Sequence, residues 1–84
     1  SGVNSVNADV INFAIYPNPT SGEFTVSLAN DVEAVVEIVN MAGQVVASQM
    51  IEGTATINKA LTAGVYTVVV KSEGAVGTQK LIVK

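Results

Sequence analysis

From Ile11 onward, apolar side chains in this chain fall on alternate residues, and no stretch keeps the 3.6-residue spacing of a helix. Alternation sends successive side chains to opposite faces of an extended backbone, so each such run is a strand with one side against a core. Ile11, Phe13 and Ile15 alternate with Asn12 and Ala14 in a first run that ends at Tyr16-Pro17. Phe24, Val26 and Leu28 alternate with Glu23, Thr25 and Ser27 in a second. Further runs cover residues 33–40, 45–51, 54–58, 65–71 and 78–84. The run 65–71 is apolar on both sides, which predicts a central strand covered on part of both faces.

The breakers between these runs are equally regular. Pro17-Asn18-Pro19-Thr20-Ser21-Gly22 holds two prolines, which fix φ and remove backbone donors, and a glycine free to take positive φ, so a tight turn is expected. Residues 29–31 make a turn, and Asn40-Met41-Ala42-Gly43 closes a hairpin with Gly43 as its left-handed residue. Gly53 punctuates the next pair, residues 60–63 form a connection ending at Gly64, and residues 72–77, with two glycines, are expected to form the last turn. Seven short strands at this spacing predict an all-β fold, a seven-stranded antiparallel β-sandwich that is Ig-like but lacks the Cys–Trp–Cys core of antibody domains. The 84 residues suffice for one domain. A domain of this size buries only about 60–65 % of its unfolded surface, so marginal stability is expected. Residues 1–9, small and polar, read as a flexible linker and candidate cleavage region, with Ser1-Gly2 a remnant of cloning or cleavage.

Chemistry is sparse. The chain contains no His and no Cys, which removes the commonest general base and metal ligand and any thiolate. Its acids, Asp9, Glu23, Asp31, Glu33, Glu37, Glu52 and Glu73, are scattered, and Asp31 and Glu33 read as a solvated pair flanking a turn. No enzyme, metal site or cofactor is therefore expected. Four lysines, no Arg and a net charge of −3 argue against nucleic acid as a partner. No apolar run reaches the roughly 18–20 residues of a spanning helix. The chain's start lacks the pattern of a secretory signal, so any export signal would lie elsewhere in a longer precursor. Asn18-Pro19-Thr20 is barred as a glycosylation sequon by its proline. Phe13, Phe24 and Tyr66 sit in core phase, while Tyr16 borders the proline turn and is expected to be half exposed. An alternative reading, a carbohydrate- or surface-binding Ig-like accessory module, would rest on that ring; a structural spacer is a further alternative.

Three segments nevertheless occur in a recognisable order: Tyr16-Pro17-Asn18-Pro19-Thr20-Ser21-Gly22 before the strand Glu23-Phe24-Thr25-Val26, then Leu61-Thr62-Ala63-Gly64-Val65-Tyr66-Thr67-Val68, then a chain that stops at Lys80-Leu81-Ile82-Val83-Lys84. Between them, residues 39–46 fit a central hairpin. Over residues 13–84 the chain resembles the type A C-terminal sorting domains of proteins exported by the type IX (Por) secretion system of Bacteroidetes. It departs mildly at Asn40, where an acid is frequent in that family, and at Gln44, where Lys or Arg is frequent.

The resemblance implies that residues 10–84 are a non-catalytic secretion signal fused to a cargo protein. The cargo would enter the periplasm by an N-terminal signal and be recognised by the outer-membrane translocon. A sortase-like peptidase would then remove the domain, leaving the cargo at the cell surface or outside the cell. It further implies that Lys80, Leu81, Ile82, Val83 and Lys84 carry translocon recognition, and that Tyr16, Pro17, Asn18, Pro19, Gly22, Gly43, Gly64 and Tyr66 are the family's turn and strand motifs. Physically, the last strand would present Lys80, Ile82 and Lys84 outward and offer a free edge to another sheet, and a weak homodimer by strand addition is expected. A purely structural reading has Lys80 and Lys84 guarding that edge against aggregation.

Overall fold

The computed structural model describes residues 11–29 and 31–84, so the expected linker over 1–9 lies outside the described residues. Seven strands follow one another with no helix between them: β1 (Phe13–Tyr16), β2 (Glu23–Leu28), β3 (Glu33–Val39), β4 (Val45–Glu52), β5 (Thr54–Asn58), β6 (Gly64–Ser72) and β7 (Ala75–Val83). They form two antiparallel sheets, β1-β2-β5 and β4-β3-β6-β7. After the β3–β4 hairpin on the second sheet, β5 crosses back to pair with β2 on the first, as in an Ig-like sandwich.

Period-two patterning sets what faces inward. Phe13, Phe24, Val26, Leu28 and Ile57 from the first sheet meet Ala34, Val36, Ile38, Ile51, Val68, Val70, Leu81 and Val83 from the second, in one continuous core. The two outward faces differ. On the first sheet, cross-strand partners Thr25–Thr56 and Ser27–Thr54 join their hydroxyls at 3.2 Å, a polar ladder facing water. On the second, the outward face mixes Val35, Val39, Met50, Val65, Val69, Val76 and Ile82 with Glu33, Glu37, Glu52, Thr67, Lys71, Thr78 and Lys80.

Two expectations change. β6 is central, between β3 and β7, but its outward side is not covered: Val65 is exposed and Val69 only half-buried. The last turn is also tighter than residues 72–77. Ser72 pairs with Ala75, leaving Glu73 (φ 45°) and Gly74 (φ 84°) as a two-residue hairpin turn of the type that matches strand twist. Gly77 therefore lies inside β7, where it is buried and a Cβ would collide with the Ile11 carbonyl oxygen. A glycine that reads as a turn signal is instead a close-approach position.

Candidate functional site

The last residues of β7 are gripped from both edges. On the inner edge, β6 opens with Gly64 opposite Val83 and Tyr66 opposite Leu81. On the outer edge lies the proline turn. Both of its X-Pro bonds, Tyr16-Pro17 and Asn18-Pro19, are cis. The Asn18 side chain imitates a strand: its amide donates to the Lys80 carbonyl at 2.9 Å, and its oxygen accepts from Ile82 N–H at 3.1 Å. The Thr20 backbone continues the ladder, its N–H donating to the Ile82 carbonyl and its carbonyl accepting from Lys84 N–H, each at 2.8 Å. Thr20 and Val83 form an isolated parallel bridge.

Thr20 also locks the turn internally. Its hydroxyl donates to the Glu23 carbonyl at 2.6 Å and accepts from Gly22 N–H at 3.2 Å. Among the described residues it is the one buried polar side chain, and both hydrogen-bonding roles of its hydroxyl are filled. Farther back along β7, Ile11 N–H donates to the Val76 carbonyl, and the Gln79 side-chain amide donates to the Phe13 carbonyl. The expectation of a free terminal edge is thereby corrected. The Lys80 carbonyl, the Ile82 N–H and carbonyl and the Lys84 N–H are already paired with Asn18 and Thr20.

The side chains of this segment divide as alternation requires. Leu81 and Val83 are buried in the core, while Lys80, Ile82 and Lys84 face solvent. The β3–β4 hairpin sits at the same end of the sandwich. Asn40 Oδ1 accepts from Ala42 and Gln44 N–H, each at 2.9 Å, and Gly43 takes φ 87°. The two departures from the family pattern touch each other here, Asn40 Nδ2 donating to Gln44 Oε1 at 3.3 Å, so a neutral amide pair holds the turn. A shallow depression of about 340 Å³ joins Asn40, Met41 and Ala42 to residues 62–66. Tyr66 packs its ring against the core while its hydroxyl donates to the Thr62 carbonyl at 2.6 Å.

The candidate residues scattered from Tyr16 to Lys84 thus converge on one end of the sandwich, around the last turn of chain in β7. Thr20 and Thr62 belong to this assembly and were not singled out by sequence reasoning. Thr20 had only its place inside the proline turn as a signal, and Thr62 had none. Tyr16 is 51 % exposed, as expected. Among the described residues no three acids gather as a metal site would require, and Asp31 lies beside Gly53 in an exposed turn.

The family model described as secretion system C-terminal sorting domain matches residues 14–84, a span that opens within β1 and takes in every segment of the clasp. No curated protein matches the chain.

Proposed function

We infer the role of this chain from the family to which it belongs, that of secretion system C-terminal sorting domains. As a type IX sorting signal it directs export to the cell surface or the extracellular space, and it engages the type IX machinery. Beyond that, its role is non-catalytic: it travels fused to a cargo that passes through the periplasm, and a sortase-like peptidase removes it at the surface. The recognised feature is the clasped end of the sandwich, with Lys80, Ile82 and Lys84 as its outward side chains.

One observation carries this reading. Asn18 and Thr20 on one edge and Gly64–Tyr66 on the other hydrogen-bond the terminal segment into the sandwich. A small rigid end can be read by one receptor whatever cargo precedes it, because its side chains are placed before binding and little ordering entropy is lost on docking.

The test is a fusion of residues 9–84 to a periplasmic reporter in a type IX-competent host. Export of the reporter, and its retention in the periplasm when Lys80–Lys84 are deleted, is the expected result. Retention of the intact fusion overturns the reading.

A further inference from the structure

The net charge of −3 hides a sorting of charge along the strands. Among the described residues, Lys59, Lys80 and Lys84 are exposed at the clasped end, with Glu23 the one acid beside them. Lys59 follows the end of β5, where its N–H donates to the Gly22 carbonyl, so it lies across the sandwich from Lys80. Asp31, Glu33, Glu52 and Glu73 gather at the opposite end. There Glu33 stands opposite Glu52, Asp31 lies against Gly53, and Ser72, next to Glu73, donates its hydroxyl to the Glu33 carbonyl. Between the two ends Glu37 and Lys71 pair at 3.1 Å. From Glu33 to Val39, whose row holds Lys80, β3 rises about 20 Å at about 3.4 Å per residue. That exceeds twice the Debye length of about 8 Å at physiological salt, so each end presents its own sign to a partner.

The basic end also carries apolar surface. The shallow depression of about 340 Å³ between the β3–β4 hairpin and residues 62–66 is walled by Met41, Ala42, Ala63 and Val65, and Met41 is 82 % exposed. Ile82, opposite Val65 in the β6–β7 register and itself exposed, continues this surface toward Lys80 and Lys84. Exposed apolar groups rimmed by charge of one sign mark a place where another molecule is held.

We propose that the clasped end docks end-on against an acidic protein surface that places one apolar side chain in this depression, with the acidic end of the sandwich pointing away. This rests on the export reading and adds the partner's chemistry and the direction of approach. Charge complementarity names the occupant. Carboxylates are drawn to Lys59, Lys80 and Lys84, and the four acids at the far end repel the same surface, so the domain is turned before contact. The apolar depression calls for a side chain, which a polyanionic polysaccharide does not offer. Three lysines are also fewer than the roughly four to eight that hold a segment on an anionic lipid surface.

The experiment measures export of the reporter fusion and, in parallel, binding of the labelled whole chain to outer-membrane fragments of the same host. Lys59→Glu, away from the terminal strand, and Met41→Ser, in the depression, should each lower export and weaken fragment binding about tenfold at an unchanged melting temperature. Lys59→Arg, which keeps the charge, should match the parent, and so should Glu52→Gln/Glu73→Gln at the far end. Binding should fall as salt rises and vanish when the fragments are treated with protease. Retention of the intact fusion overturns the export reading and this proposal with it. Export of the intact fusion together with parent-level export of either folded variant, Lys59→Glu or Met41→Ser, overturns the proposal alone. So does binding that survives protease or appears on protein-free vesicles of the host's lipids, since the occupant is then a polysaccharide or a lipid.

Discussion

At the scale of single residues, the clasp shows how a polar side chain can do the work of a strand. Asn18 supplies one donor and one acceptor at the spacing of a backbone ladder, where Pro17 and Pro19 have no N–H of their own to give. Asn18→Ala should remove both bonds and lower unfolding free energy by about 1–2 kcal/mol, at a net ~1 kcal/mol per hydrogen bond. In a domain of this size each kcal/mol corresponds to roughly 4–8 °C in Tm, so a thermal melt will show it. Faster amide exchange at Ile82 would place the loss at the clasp. Thr20→Val keeps the shape but strands the Gly22 N–H and the Glu23 carbonyl, for an expected cost of about 1–3 kcal/mol. Thr20→Ser, which keeps the hydroxyl, should cost only about 0.8 kcal/mol for the lost methyl. A larger loss for Thr20→Ser than for Thr20→Val would show that the methyl, not the hydroxyl, secures the turn. Neither role was legible in the sequence. A proline cluster announces a turn, but nothing local says which distant strand its one amide side chain will reach.

At the scale of elements, alternation located all seven strands, because inward and outward residues differ in polarity along most of them. Where it erred, the local signal had two physical origins. Gly77 sits in a strand because the Ile11 backbone passes against it, and this close approach is a tertiary fact that looks like a turn in one dimension. Gly77→Ala should therefore behave as an overpacked position, costing about 1–3 kcal/mol. A neutral effect in denaturant unfolding would mean that residue 11 is free to move aside. β6 misled differently: a strand apolar on both sides was expected to be covered on part of both, yet its outward side is open, with Val65 exposed and Val69 half-buried. β4 is an edge strand with little burial. Only Ile51 is buried along it, and a cleft of about 240 Å³ separates its inward residues Ala47 and Gln49 from Ile57 and Lys59 at the end of β5. Native-state hydrogen exchange should accordingly be faster at β4 than at β2, β3 and β6, the three strands paired on both edges. Protection of β4 equal to that of β6 would contradict this order.

At the scale of the whole molecule, the terminal segment belongs to the fold and to the candidate signal at once, so loss of export on deletion has two explanations. Leu81 and Val83 are buried in the single core, and Ile82 and Lys84 complete the clasp. Deleting Lys80–Lys84 removes two core side chains and all four hydrogen bonds that join the turn to β7, and large-to-small losses in a core typically cost about 2–5 kcal/mol each. A small domain with total stability on the order of 5 kcal/mol should not survive that loss. The truncated chain should therefore be unfolded by circular dichroism, and its failure to export would not distinguish a missing address from a missing fold. The outward residues separate the two. Lys80→Ala, Ile82→Ser and Lys84→Ala combined leave the core and the backbone ladder in place, and exposed substitutions of this kind usually change stability by about 0.5 kcal/mol or less each. Leu81→Ala alone keeps every outward side chain and breaks the core. If the machinery reads the end of β7 directly, the triple variant should melt near the parent temperature yet leave the reporter in the periplasm, while a partly folded Leu81→Ala fusion should export in proportion to its folded fraction. Parent-level export of a folded triple variant would move recognition off these side chains and onto another surface of the sandwich.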